Sequence, residues 1–111
     1  MAFQDITATK LGQAAVTTSY ATLYTVGASK RALLKTIDVC NTTASDILIY
    51  LHLVPSGGSA GTTNALFYMA TIAAHGNLQY TGCQVMNPGD FISVKASLAG
   101  CTITASGGEA V

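Results

Sequence analysis

Charged residues are scarce in this chain. Asp, Glu, Lys and Arg make up 9% of its 111 residues, 50% are hydrophobic, and the formal net charge is zero. Ordinary soluble domains devote roughly a quarter of their residues to charge. Because no cluster of basic residues is available to neutralise phosphates, we expect no nucleic-acid partner. The surplus of apolar surface instead predicts burial against other protein chains, as in a lattice, a ring or a trimer.

Long apolar runs are also missing. The longest one with a single polar interruption spans residues 47–54, which is far too short to cross a membrane. The first five residues, Met-Ala-Phe-Gln-Asp, lack the basic head and apolar stretch of a secretory signal. We therefore expect no membrane partner and synthesis in the cytoplasm.

Cysteines are few and unpaired in their spacing. The chain has three of them, Cys40, Cys83 and Cys101, an odd number with no Cys-x-x-Cys pair. That pattern indicates neither a disulfide framework nor a zinc site. It predicts buried free thiols, with one opportunistic bridge as the alternative.

Residue combinations that carry out catalysis are absent from the sequence. The two histidines, His52 and His75, have no acid or cysteine at a spacing that indicates a catalytic pair or a metal site. The glycine-rich segment 57–61 lacks the lysine and the following helix of a phosphate-binding loop. We therefore expect no catalytic residue, no cofactor and no metal, and predict that the protein is not an enzyme.

Strand signals are what the chain does have. Stretches rich in Thr, Val, Ile and Tyr alternate with turn-forming clusters roughly every eight to twelve residues, the spacing of a β-sandwich. The pattern predicts an all-β, antiparallel, jelly-roll-like sandwich in one domain over residues 19–111, with the last two strands forming a hairpin and a tight turn at residues 87–90. The predicted strands are 19–26, 31–41, 46–54, 65–71, 77–82, 91–97 and 101–105.

The strand 46–54 is apolar on both faces. Alternation assigns its odd-numbered residues from 47 to 53 to the core. If the strands 31–41 and 46–54 form a hairpin, their even-numbered residues share the opposite surface, which has the mixed composition of an interface core. This surface predicts a protein interface; the second inner face of a thicker sandwich is an alternative of equal weight. The candidate interface residues here are Leu34, Leu48, Tyr50 and His52.

Two charged residues interrupt the strand 31–41. Lys35 shares a face with apolar residues, so we expect it near a sheet edge with its ammonium group extended outward. Asp38 lies between Ile37 and Val39, as either a buried hydrogen-bonded acid or a contact to a partner subunit.

Residues 1–18 show no sustained period and are rich in Ala, Thr and Gln. Phe3, Ile6 and Leu11 are costly to leave in water. These observations predict an N-terminal arm that docks on a neighbouring molecule and lies outside the sandwich; a frayed terminus is the alternative.

Several turn and strand motifs are distributed over residues 20–110. They are Leu23-Tyr24-Thr25-Val26, Cys40-Asn41-Thr42, Val54-Pro55-Ser56-Gly57-Gly58, Pro88-Gly89-Asp90 and Gly108-Glu109. These motifs resemble those of a small β-sandwich domain found in tailed-bacteriophage virion proteins. The chain departs from that pattern at Gly27, where proline is usual. Because the motifs are turn and strand signatures, the resemblance implies a fold and a virion setting and carries over no catalytic residue.

The resemblance implies a head-decoration, fibre or tail-associated module. We therefore expect a non-enzymatic virion protein, made in the host cytoplasm, that acts as a capsid decoration (cement) protein on the outer surface of the head. We expect a homo-oligomer, for which a trimer is favoured. Its expected partners are the major capsid protein or other virion proteins. The alternative is a fibre, collar or tail-tip module that binds a host surface receptor, with Tyr68 and Tyr80 as candidate binding aromatics.

Overall fold

The computed structural model describes residues 6–110, which form eight strands and one short 3-10 turn at Thr62–Asn64. Within these residues no helix is long and apolar enough to cross a membrane. The strands are β1 (Ile6–Ala15), β2 (Ala21–Thr25), β3 (Arg31–Asn41), β4 (Ile47–Val54), β5 (Ala65–Ile72), β6 (Asn77–Met86), β7 (Phe91–Ala96) and β8 (Cys101–Ala110).

The strands form two four-stranded antiparallel sheets. The first sheet has the order β1-β8-β3-β6 and the second the order β2-β7-β4-β5. This alternation of strands between two packed sheets is the double Greek key of a jelly roll. The predicted all-β, jelly-roll-like sandwich is confirmed.

The hydrophobic core lies between the two sheets. The odd-numbered residues of β4 from 47 to 51 are fully buried, as the alternation predicts, and inward residues of β7 and β8 pack against them. The turn at residues 87–90 is also confirmed: the Asp90 N–H donates to the Asn87 carbonyl at 3.0 Å, and Gly89 has φ +86°. The largest buried side chains include Leu34, Ile37, Ile47, Ile49, Leu51, Ile92 and Ile103.

A bulge in β3 explains the position of Lys35. The pairing of β3 with both β6 and β8 shifts register between Leu34 and Thr36. Leu34 therefore faces the core from one side of the bulge and Ile37 from the other, while Lys35 is exposed. Lys35 lies on an inner strand of its sheet, so the expectation of an edge position was wrong, and its outward direction follows from the bulge.

The predicted hairpin of β3 and β4 was wrong. The two strands belong to different sheets, and the chain crosses from one sheet to the other over residues 42–46. Leu34 is completely buried in the core and does not share a surface with Leu48. The predicted hairpin of β7 and β8 was also wrong, because the short connection between these strands bridges the two sheets.

Residues 6–15 form an edge strand, so the prediction of a separate N-terminal arm was wrong for this segment. β1 pairs with β8 from Ile6 opposite Ala110 to Ala15 opposite Thr102. A register shift between Lys10 and Gly12 interrupts the alternation, which is why no strand period is visible in the sequence. Leu11 is 5% exposed and belongs to the core of this chain, while Phe3 lies outside the described residues.

The three cysteines differ in their surroundings. Cys101 is buried, whereas Cys40 and Cys83 are exposed, so the expectation of burial was wrong for those two. Cys40 points outward because β3 after its bulge presents Ile37 and Val39 to the core. Burial raises the pKa of the Cys101 thiol, and the neighbouring Cys40 adds to that rise.

Candidate functional site

Three tyrosines and a lysine form a row across the outer face of the β2-β7-β4-β5 sheet. Lys95 of β7 pairs directly with Tyr50 of β4, Tyr20 lies just before β2 on one side, and Tyr68 of β5 lies on the other. Lys95 faces outward because the alternate residues of β7 are buried in the core. We call Tyr20, Lys95, Tyr50 and Tyr68 the tyrosine row.

The Lys95 ammonium group lies between two aromatic rings. Its Nζ atom is 5.0 Å from the centroid of the Tyr20 ring and 4.7 Å from that of the Tyr50 ring. Tyr50 meets Tyr68 edge to face, with centroids 5.4 Å apart. Both arrangements are favourable, because a cation is attracted to the ring face and tilted rings are preferred over stacked ones. The row is therefore a pre-formed surface with one fixed cation.

His52 supports the row from below. It is completely buried; its Nδ1 atom lies 2.8 Å from Asn64 Oδ1 and its Nε2 atom 3.1 Å from the Tyr20 hydroxyl. The Asn64 amide is oriented by two backbone contacts, since its Oδ1 accepts from the Gly61 N–H and its Nδ2 donates to the Ser59 carbonyl. His52 Nδ1 must therefore donate to Asn64 Oδ1, and in the tautomer that carries its proton on Nδ1 the Nε2 atom accepts from the Tyr20 hydroxyl. His52 thus fixes Tyr20 and the 59–64 segment to the sheet.

The outer part of the row is accessible. Tyr20 is 42% exposed and Tyr68 is 51% exposed, and the adjacent Met69 is 53% exposed. Partial burial raises the pKa of Tyr20, and the neighbouring Tyr68 and Tyr50 add to the rise, so its hydroxyl stays protonated as a donor. The row therefore offers aromatic rings, hydroxyl groups and a single ammonium group.

The arrangement combines aromatic rings with hydroxyl groups and one ammonium group. Its only imidazole, His52, has both nitrogens engaged with Tyr20 and Asn64. Over residues 6–110 no three His, Cys, Asp or Glu side chains converge as a metal site would require. Rigid aromatic side chains with a polar tip are well suited to protein contacts.

The structure places three of the predicted interface residues at or beside the row. Tyr50 is part of it, Leu48 is half-buried on the same outer face, and His52 lies buried beneath it. Alternation within β4 was sufficient to group these three. Tyr20 and Lys95 were missed, because only the cross-strand register brings them next to Tyr50. The available signal was the outward position of Lys95 in a strand with alternating apolar residues.

The remaining predicted site residues lie elsewhere. Leu34 and Leu11 are core residues, and Ile6 is 58% exposed on the outer face of the other sheet. Of the two candidate receptor-binding tyrosines, Tyr68 is exposed in the row. Tyr80 faces inward, with its ring 6.4 Å from that of Phe67.

A shallow groove of about 320 Å³ occupies the outer face of the β1-β8-β3-β6 sheet. The backbone of Gly107 and Gly108 forms part of its lining. Position 107 has no room for a side chain, because a Cβ atom there would lie 1.7 Å from the Leu33 carbonyl oxygen. Apolar side chains bound the groove, so it forms a second, smaller apolar surface. The lining residues are Ile6, Ala8, Leu33, Lys35, Gly107 and Gly108.

Comparison with known proteins identifies structural neighbours only. No protein-family model matches the chain, and no curated protein matches it. A protein of the Bacillus endospore appendages, described as disulfide-linked pili, is 16% identical with a TM-score of 0.53, over 99% of this chain and 91% of that one. A chain of the infectious bursal disease virus Gx strain is 11% identical with a TM-score of 0.53, over 98% of this chain and 33% of that one. This chain spans about a third of the viral one. At these identities the likeness shows the fold.

Proposed function

We propose that this chain is a non-enzymatic structural protein of a bacteriophage virion, a decoration (cement) protein that binds the outer surface of the head as a homotrimer. The observation that carries the proposal is the tyrosine row. Tyr20, Tyr50 and Tyr68 present their rings on one sheet face, in a molecule with very few charged residues.

The rings of Tyr20 and Tyr68 are in contact with water in the isolated chain. Exposed aromatic surface on a rigid sheet is apolar area that binding to another protein removes from solvent. Tyrosine has few rotatable bonds and is over-represented among the residues that dominate binding energy. Because Tyr20 is already fixed by His52 and Tyr50 by Lys95, little side-chain entropy is lost when a partner covers them.

The fold and the motifs support the same setting. Jelly rolls recur in viral capsid proteins, and the two neighbours described above come from a pilus and a virus particle. The motif residues also have architectural roles in this chain. Asn41 organises the crossing between the sheets, and Gly89 adopts the positive φ of the 87–90 turn.

Co-sedimentation with undecorated phage heads tests the proposal. We expect the wild-type protein to sediment with the heads, and Tyr68→Asp and Tyr50→Asp each to bind at least about tenfold more weakly, the loss typical of a residue that dominates an interface. Leu98→Asp is the matched control, because Leu98 is an exposed apolar residue of the β7–β8 turn, 50% exposed, and is not one of the four residues of the row. Far-UV circular dichroism establishes that each variant is folded. Wild-type protein that stays in the supernatant contradicts the proposal.

The second candidate function is a fibre, collar or tail-tip module that binds a host surface receptor. The exposed ring of Tyr68 favours it, because an accessible aromatic ring is also a platform for a sugar. The number of copies per particle separates the two functions. Many copies over the head indicate decoration, whereas a few copies at one vertex or on the tail indicate the receptor-binding module.

A further inference from the structure

We propose that the tyrosine row is covered in the assembled particle by a different virion protein, and that this partner presents a carboxylate to Lys95. The inference rests on the proposed function. It adds that the partner at this face is a different protein and that this partner carries a carboxylate.

Lys95 is a positioned cation that lacks a counter-ion among the described residues. Its Nζ atom is held between the rings of Tyr20 and Tyr50, and the one ion pair formed over residues 6–110 is between Lys30 and Glu109, at 3.8 Å. Lys95 is half-buried even in the isolated chain. Two aromatic faces stabilise its ammonium group without neutralising it.

Covering the row with a protein surface removes water from this ammonium group. A charge that is desolvated without an opposite charge is strongly destabilising. A partner that covers Tyr20 and Tyr50 therefore has to bring an acceptor, and a carboxylate is the group that neutralises the charge. The hydroxyls of Tyr50 and Tyr68 make no hydrogen bond to another described residue, so they are free to donate to the same carboxylate.

Three of the described acids are already engaged within the chain. Asp46 and Asp90 accept hydrogen bonds from backbone N–H groups of neighbouring loops, at distances of 2.9–3.1 Å. Glu109 accepts a hydrogen bond from Tyr24 and pairs with Lys30. A second copy that used one of these acids would lose a contact that holds its own loops or strands together.

Asp38 is the remaining described acid, and its position argues against a second copy as the partner. It is exposed on the β1-β8-β3-β6 sheet, between Thr104 and Gln79, with one long contact of 3.5 Å from Asn77. That outer face points away from the one that carries Lys95, because the two sheets pack back to back. A contact between Asp38 of one copy and Lys95 of the next would join opposite faces of the sandwich. Repeating it would stack the copies into an open chain, whereas the subunits of a trimer form a closed ring.

Charge variants of Lys95 test the inference. We expect Lys95→Glu to bind undecorated heads at least about tenfold more weakly, because it places a carboxylate against the partner's carboxylate. Lys95→Met keeps the aliphatic stem against the rings and should give an intermediate loss with a weaker dependence of binding on salt concentration. Arg31→Glu makes the same change of charge at an exposed position on the other sheet and should bind like wild type. Light scattering should show the same oligomeric mass for all of them.

The outcomes separate this inference from the proposed function. Wild-type protein that does not bind heads overturns the function itself. Lys95→Glu binding as tightly as Arg31→Glu overturns the inference alone. Loss of the oligomer in Lys95→Glu, with restoration by adding Asp38→Lys or Asp5→Lys, would make the partner a second copy. If Lys95→Glu binds heads like wild type but is no longer retained on a carboxylated polysaccharide, the row binds a host glycan. This result also overturns the inference.

Discussion

At the scale of single residues, Asn41 shows how one buried amide organises the crossing between the two sheets. Its Nδ2 donates to the carbonyls of Ser45 at 2.7 Å and Ile72 at 3.1 Å, and its Oδ1 accepts from the Thr43 N–H at 2.9 Å. Asn41 therefore replaces the backbone partners that the chain loses where β3 ends. Its place within the Cys40-Asn41-Thr42 motif has a structural cause.

The first prediction concerns this amide. We expect Asn41→Ala to lower the free energy of unfolding by roughly 2–3 kcal/mol, because it removes hydrogen bonds to one buried backbone carbonyl, that of Ile72, and to partly buried backbone groups of the crossing. Asn77→Ala is the control, since Asn77 is exposed and makes a single long hydrogen bond to Asp38. Urea denaturation monitored by circular dichroism gives both values. Equal stability of the two variants would show that the connection is held by other contacts.

The second prediction concerns the thiols. We expect iodoacetamide at pH 8 to label Cys40 and Cys83 rapidly in the native protein and Cys101 slowly, because Cys101 is buried and its pKa is raised. Denatured protein without reductant should take three labels. Mass spectrometry counts them. Fast labelling of Cys101 in native protein contradicts the structure, and two missing labels after denaturation indicate a disulfide.

At the scale of elements, β1 completes the first sheet. It covers β8 along ten residues and contributes Leu11 to the core. Without it, β8 would become an uncovered edge with its backbone groups unpaired. We therefore expect the segment to be required for folding, in contrast to an arm that orders only on a neighbour.

The third prediction follows from that position. Deletion of residues 1–15 should yield protein without a cooperative thermal transition, measured by circular dichroism, because the edge of the sheet and part of the core are removed. Deletion of residues 1–5 is the matched control and should leave a folded sandwich, since it keeps all of the described strand Ile6–Ala15. We also expect this shorter deletion to reduce binding to heads, because the apolar Phe3 is lost. If the protein without residues 1–15 unfolds cooperatively, the sandwich does not need β1, and the prediction of a separate arm holds after all.

Strand positions were predictable from the sequence, but sheet membership was not. Alternation located β3 and β4 to within one residue, because each strand buries one face. Which sheet a strand joins depends on pairings between residues distant in the chain, such as Ile6 with Ala110, and no local pattern encodes them. Bulges at Leu34–Thr36 and Lys10–Gly12 invert the alternation midway, so the expected edge position of Lys35 and the missed strand character of β1 were both wrong.

The candidate site was predictable to the same extent. Tyr50 and His52 could be grouped from one strand, but their neighbours Tyr20, Lys95 and Tyr68 come from three other segments. Only the register of β7 and β4 places Lys95 between the rings.

At the scale of the whole molecule, the sandwich presents apolar groups on both of its outer faces. The tyrosine row lies on one, and the groove beside Ile6 lies on the other, close to Val85, which is 62% exposed. A small domain with two such surfaces has more apolar area than one core can bury. This distribution is suited to a subunit that contacts both its own copies and a lattice.

We propose above all that the chain is a subunit of an assembly. The mass of the purified protein at micromolar concentration is the sharpest test of this proposal. Light scattering after size-exclusion chromatography should give a single species at about three times the 11.3 kDa mass of the chain, because a trimer is the closed oligomer that we propose. A monodisperse species at the mass of one chain would contradict the account.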